Sequence, residues 1–176
     1  LNCKNPTLTL NGTAEPGSDI FYEWDTDDGN IVSGDETLNP VIDSPGEYNF
    51  TVWSDITDCE TTVFVTINED FEEPSADAGN DEQLNCAIPK IILNGTASSS
   101  GNEFVYEWNT TDGNIELDKF TATPTVDEGG EYFLTVTDTT NGCFASDTAL
   151  VKVNFDAPEI IILPPGDFTC ATSFMF

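Results

Sequence analysis

Three acids crowd one short turn. In "YEWDTDDGN", Tyr22 to Asn30, the carboxylates of Asp25, Asp27 and Asp28 precede Gly29. Hard oxygen ligands at such density suit calcium. An EF-hand loop, however, places its acids at alternate positions and then a glycine. Here Asp27 and Asp28 are adjacent, and the position expected for the closing glutamate, Glu36, is then out of step with the glycine. A second copy of the stretch, "YEWNTTDGN" from Tyr106 to Asn114, keeps the tyrosine, tryptophan, Asp-Gly and Asn but replaces the first two acids. The shared Asp28-Gly29 and Asp112-Gly113 therefore read as hairpin turn dipeptides. Calcium at Asp25, Asp27 and Asp28 would be an addition peculiar to the first copy.

Other groups could do chemistry. Glu69, Asp70, Glu72, Glu73, Asp77 and Asp81 line a linker, where calcium ligated by Asp70, Asp77 and Asp81 would stiffen a joint between domains. Solvated, self-repelling charge is the plainer reading of the same run. Alternation places Trp53 and Phe133 on the outward faces of their strands, where a glycan or a neighbouring domain could meet them. Thr139 and Thr148 follow aspartates in "DTT" and "DTA", which resemble a bacterial O-glycosylation motif. The Asn-x-Thr triplets at Asn11, Asn49, Asn94 and Asn109 match the N-glycosylation sequon, although Asn11 and Asn94 have a turn role.

Composition removes whole classes of function. The chain has 33 acids, 4 lysines and no histidine, and its net charge is −29. Such a surface repels nucleic acid and anionic membranes. Without histidine there is no Ser-His-Asp or Cys-His pair and no imidazole-ligated zinc. Without arginine there is no bidentate phosphate clamp. Carboxylate pairs are abundant by composition alone, so none marks a catalytic site, and no enzyme activity is expected. No apolar run reaches the ~20 residues of a membrane helix. Direct membrane insertion is therefore not expected either.

The elements that must position these residues come from an internal repeat. "LNCKNPTLTLNGTA" from Leu1 matches "LNCAIPKIILNGTA" from Leu84, and "PGEYNFTVWSDITDC" from Pro45 matches "GGEYFLTVTDTTNGC" from Gly129. A third copy begins at "FTCATSFMF", Phe168 to Phe176. Within a repeat, "IFYEW" turns Tyr22 and Trp24 to one face, and "EYNFTVW" does the same with Tyr48, Phe50 and Val52. "TLTLNGT" and "TTVFVTI" alternate as well, Gly- and Pro-rich turns recur at short spacing, and no segment has a 3.6-residue period. Seven short strands per repeat predict an all-β chain of tandem Ig-like β-sandwiches. The boundaries fall at 1–71 for a first repeat lacking its first strand, 72–156 for a second, and 157–176 for the start of a third. The simplest account is a window from a longer tandem array.

The cysteines follow the repeat. Cys3 and Cys59 open and close the first, Cys86 and Cys143 the second, and Cys170 is left without a partner. Each repeat then supplies its own pair, which predicts Cys3–Cys59 and Cys86–Cys143. Closing either loop would contribute about 4 kcal/mol in the chain-entropy model. Paired cysteines without CxxC spacing point to an oxidising, extracellular setting.

These residues carry a family resemblance. "YEWDTDDG" resembles the Y-x-W-D-F-G-D-G signature of PKD domains, "PGEYNFTV" their late P-G-x-Y-x-V-x-L strand, and "SADAGNDEQL" their common opening. The cysteine-bearing form resembles the PKD-like repeats of very large surface proteins of Bacteroidota, gliding adhesins among them. The resemblance implies a stalk, filament or adhesive module at the cell surface. Its partners would be neighbouring repeats of the same chain or filament, or surface glycans. An accessory domain of a secreted hydrolase is the alternative. No cofactor is implied beyond calcium.

Overall fold

The structure is a computed structural model, and it describes residues 1–161. Cys170 and the copy beginning at Phe168 lie outside the described residues. The described part is all-β and contains no helix.

The first repeat comprises β1 (Leu8–Thr9), β2 (Ile20–Asp25), β3 (Ile31–Ser33), β4 (Val41–Ile42), β5 (Gly46–Ser54) and β6 (Glu60–Ile67). They form two three-stranded sheets, β1-β4-β3 and β2-β5-β6. The second repeat comprises β7 (Glu82–Asn85), β8 (Ile91–Ile92), β9 (Phe104–Thr110), β10 (Ile115–Leu117), β11 (Thr125–Val126), β12 (Gly130–Asp138) and β13 (Phe144–Asn154). Its sheets are β8-β11-β10 and β7-β13-β12-β9. The same register recurs: Trp24 pairs with Phe50 and Tyr22 with Val52, as Trp108 pairs with Leu134 and Tyr106 with Val136. The period-2 pattern turns Trp24, Tyr48 and Phe50 inward to meet Ile42 of the facing sheet, and Trp108, Tyr132 and Leu134 inward to meet Val126. Two sheets closed over such a core are an Ig-like sandwich, so the predicted fold class holds.

The two repeats differ at one edge. In the second, β7 runs parallel to β13, pairing Leu84 with Val153 and Asn85 with Asn154. The lead-in before β7 closes the groove beside it. Ala78 donates its N–H to Asp147 at 2.7 Å, and an added Cβ on Gly79 would lie 2.7 Å from the Asn94 carbonyl oxygen. Ala149 and Val151 of β13 are buried beneath this cover. The first repeat has only an Asn2–Asp70 bridge at the corresponding edge. Its equivalent groove, between Leu10–Thr13 and Val63–Val65, is open. That is why Val63 and Val65 are exposed although they pair with the inward Phe50 and Tyr48, while Phe64 between them lies on the outer face.

Candidate functional site

The acid-rich turn is a corner between sheets. β2 and β3 belong to different sheets, so Asp28-Gly29 does not close a hairpin as its dipeptide suggested. The chain crosses there from one layer of the sandwich to the other. The tyrosine of the following long strand pins the crossing. Tyr48 donates its hydroxyl to the Ser44 carbonyl at 2.6 Å and accepts from Asn30 N–H at 3.0 Å. Tyr132 repeats this with Glu128 at 2.7 Å and Asn114 at 3.0 Å. Burial raises the Tyr132 hydroxyl above the ordinary tyrosine pKa, since the phenolate would lose solvation there.

Each retained residue of the motif has a place in this corner. A Cβ on Gly29 or Gly113 would overlap the tyrosine hydroxyl. Asp28 accepts from Glu47 N–H at 2.9 Å, and Asp112 from Glu131 N–H at 3.0 Å. Asn30 and Asn114 donate their side-chain amides to Asp43 and Asp127, each at 2.7 Å. The variable positions are differently employed. Asp25 accepts from the Asn49 amide at 3.0 Å on the sheet surface.

The linker acids are likewise dispersed over separate partners. Asp70 accepts from the Asn141 amide at 3.0 Å, Asp77 from Gly79 N–H at 2.8 Å, and Asp81 from Leu150 N–H at 3.2 Å. Among the described residues no three carboxylates or thiols come together as a metal-binding group.

The expected disulfides are corrected by the structure. Cys3 is bonded to Cys143, with their Cα atoms 5.0 Å apart, and Cys59 and Cys86 are free and exposed. The physical reason lies in strand length. Cys59 stands just before β6, whereas Cys3 follows Asn2, which bridges Asp70 beyond the other end of that strand. The eight residues of β6 alone separate those ends by about 26 Å at 3.3 Å per residue. A disulfide spans at most about 7 Å between Cα atoms. Cys86 and Cys143 stand at opposite ends of β13 for the same reason, because Asn85 pairs with Asn154. The sandwich therefore holds the two cysteines of one repeat apart.

What it brings together is the joint. The tip between β12 and β13 meets the far end of the first repeat. Lys4 N–H donates to the Asn141 carbonyl at 2.9 Å. The Asn141 amide, itself buried, donates to Asp70 at 3.0 Å and to the Glu72 carbonyl at 2.9 Å. Gly142 lies so close to Lys4 that an added Cβ would be 2.8 Å from the Lys4 Cβ. Asp138 opens this tip and accepts from Thr140 N–H at 2.7 Å and Thr140 Oγ1 at 2.6 Å, which hold its carboxyl below the ordinary aspartate pKa. Sequence reasoning missed Asn141 and Gly142. Their signal was the "NGC" that stands where the first repeat has "TDC".

The remaining candidates fall elsewhere. Trp53 is half-buried and stacked on Phe21, with ring centroids 5.9 Å apart, beside an open groove lined by Ile20, Tyr22, Glu23 and Glu36. Phe133 is half-buried on β12 with no such partner ring among the described residues. Thr139 donates its hydroxyl to the Glu103 carbonyl at 2.8 Å, and Thr148 is exposed on β13.

The described residues are thus a pair of Ig-like sandwiches coupled by a covalent joint. No family model matches it, and no curated protein matches it. Solved structures resemble it distantly. Drosophila OTK extracellular domains 3–5 align at 12% identity and a TM-score of 0.37, over 84% of this chain and 60% of that one. The three N-terminal domains of the bacteriophage RB49 outer capsid protein Hoc give 18% and 0.41, over 84% and 57%. Mouse clustered PcdhgC3 EC1-3 gives 14% and 0.37, over 84% and 61%.

Proposed function

We propose that this chain is a structural segment of a long extracellular array of PKD-like repeats, a stalk or filament module of the kind borne by Bacteroidota surface proteins. The observation that carries the reading is the crosslinked joint. Two domains joined only by a linker would swing freely unless their interface were large. Here the Cys3–Cys143 bond and the Asn141 hydrogen bonds to Asp70 and Glu72 tie the far end of one sandwich to the tip of the next. A disulfide also requires an oxidising compartment, in keeping with a surface location. No helix among the described residues is long and apolar enough to cross a membrane. Catalysis has no place in this reading. Neighbouring repeats are its partners.

Small-angle scattering before and after reduction tests it. A joint built for stiffness gives one narrow interdomain distance when oxidised and a broader distribution when reduced. The same broad distribution in both states removes the stalk reading.

A second reading rests on the Phe21–Trp53 pair, whose stacked rings border an open groove with Glu23 and Glu36. Aromatic faces beside carboxylates suit a sugar, so the first repeat would add glycan affinity to the stalk. Loss of glycan-array binding on Trp53→Ala supports it, and unchanged binding ends it. O-glycosylation at Thr139 and Thr148 completes the proposal, whereas calcium at Asp70, Asp77 and Asp81 would first have to draw together acids that are bonded to three separate partners. Melting temperature in millimolar calcium and intact mass of native material decide them.

A further inference from the structure

We infer that Cys86 is a docking and crosslinking point for the hairpin tip of a further repeat, so that disulfides link each repeat to the next along the array. The inference rests on the stalk reading and supplies its connectivity. Cys86 does not stand alone: it occupies the position of Cys3, which is bonded across the joint. The seat around it is also already built. In the first repeat, Asn2 and Asn5 exchange backbone hydrogen bonds around Cys3, and the Asn2 side chain accepts from Asn5 N–H at 2.8 Å. Asn85 and Ile88 do the same around Cys86, with the Asn85 side chain accepting from Ile88 N–H at 2.9 Å.

The second half of the seat repeats too. Asn2 bridges Asp70, and Asn85 pairs with Asn154. Asp70 accepts from Glu72 N–H at 3.3 Å, and Asn154 accepts from Asp156 N–H at 3.2 Å. The carboxylate and carbonyl that receive Asn141 in the existing joint thus have counterparts in the Asn154 side-chain oxygen and the Asp156 carbonyl. Cys86 is exposed beside them, and so are Ile88 and Phe155.

The seat also specifies its occupant, a β-hairpin ending in Asn-Gly-Cys as at 141–143. The asparagine supplies the amide. The glycine is required because it lies against the Lys4 Cβ, N and Cα; Ala87 has the same three atoms at the second seat, its N–H resting on the Asn85 side-chain oxygen at 2.9 Å, which the incoming tip's carbonyl must displace. The Cys59 hairpin does not qualify. Asp58 shares the left-handed backbone of Gly142, at φ 52° against 78°, but it carries the Cβ that the seat cannot admit. A second copy of this chain, offering Cys59, is therefore not the partner. The bond forms by thiol–disulfide exchange. Two thiols become one disulfide, and a disulfide oxidant such as glutathione disulfide takes up the two electrons and two protons as two thiols.

The test extends the chain with another copy of residues 72–156 directly after Asp156, oxidised with glutathione disulfide and digested with trypsin without reduction. With the exposed Thr148→Ser in the added copy as a mass tag, cleavage at the lysines leaves Cys86 on peptide 5–90, and the added copy's terminal cysteine on a counterpart of peptide 120–152 that differs from it in mass. The expected result joins these two peptides, while a thiol reagent labels Cys59. Cys86 labelled in molecules whose Cys3–Cys143 bond has formed overturns the inference and leaves the stalk reading standing. So does a ladder of disulfide-linked oligomers of the unextended chain through Cys59. Placing Gly142→Asp in the added copy alone is expected to cut the crosslink at least tenfold. An equal yield overturns the argument from shape.

Discussion

Removing the bond between the repeats should divide one unfolding unit into two. Cys3 and Cys143 are 140 residues apart in sequence, so their bond encloses nearly all of both sandwiches. In the chain-entropy model, closing a loop of that length stabilises the folded state by about 5 kcal/mol. The two partners contribute unequally to the cooperative unit. The second repeat buries a cluster that includes Trp108, Tyr132, Leu134, Val136, Ala149 and Val151, whereas the cluster of the first is confined to Leu10, Trp24, Ile42, Tyr48 and Phe50. The first repeat is the weaker and depends more on being tied to the second. The double variant Cys3→Ser/Cys143→Ser should therefore melt in two calorimetric transitions, the first repeat leading. With about 2–4 °C per kcal/mol for a chain of this size, that first transition falls roughly 10–20 °C below the single transition of the oxidised protein.

Peptide mapping makes the same reasoning refutable before any melt is run. The four lysines divide the chain so that Cys3 lies on peptide 1–4, Cys59 and Cys86 on 5–90, Cys143 on 120–152 and Cys170 on 153–176. Bonding across the joint links peptides 1–4 and 120–152 alone. Pairing within repeats would instead gather 1–4, 5–90 and 120–152 into one species. Finding that three-peptide species refutes the strand-length argument. A double variant that melts like the oxidised parent refutes the coupling.

The remaining consequences are local. Tyr132→Phe leaves the Glu128 carbonyl and Asn114 N–H without their hydroxyl partner and should cost about 1–3 kcal/mol in denaturant unfolding, with Tyr48→Phe acting likewise on the first repeat. Gly113→Ala drives a methyl into the same hydroxyl and should cost about 1–3 kcal/mol on overpacking alone. Asp138 has a folded pKa below its unfolded value of about 3.9, so its contribution is present above that pH and is lost as pH falls through the folded pKa. An NMR titration should place its midpoint below the ordinary aspartate range, and Asp138→Asn should flatten the acid limb of stability.

How legible the molecule was in its sequence depends on the range of the interaction. The inward faces of "IFYEW" and "EYNFTVW" follow from period-2 alternation, which is a property of a strand by itself. The destination of Asp28-Gly29 was not legible, because the same dipeptide serves a hairpin or a crossing between layers. Only the pairing of β2 with β5, and of β3 with β4, decides between them. The disulfides failed for a related reason. "Start of the repeat" and "before the last strand" sound adjacent in a closed domain. A parallel lead-in strand makes them opposite ends, and nothing local in "EQLN" announces that it runs parallel to β13.

That parallel pairing has a mechanical consequence. A bond within each sandwich would stiffen the domain but leave the linker between the two sandwiches as the compliant element. Here the first repeat's Asn2–Asp70 bridge puts Cys3 at the end of the sandwich where the chain departs toward the next domain. The β12–β13 tip puts Cys143 at the near end of that next domain, against Lys4 and Asp70. Tension applied along the chain is then carried across the joint twice, once by the linker through Glu72 and Pro74 and once by the disulfide. Two separated tethers resist bending and twisting as well as stretching, which one tether cannot do. The acids of the linker are consistent with this division of labour. Asp70 and Asp77 accept hydrogen bonds from Asn141 and Gly79 that fix the course of the backbone, and the stiffness of the joint comes from covalent geometry.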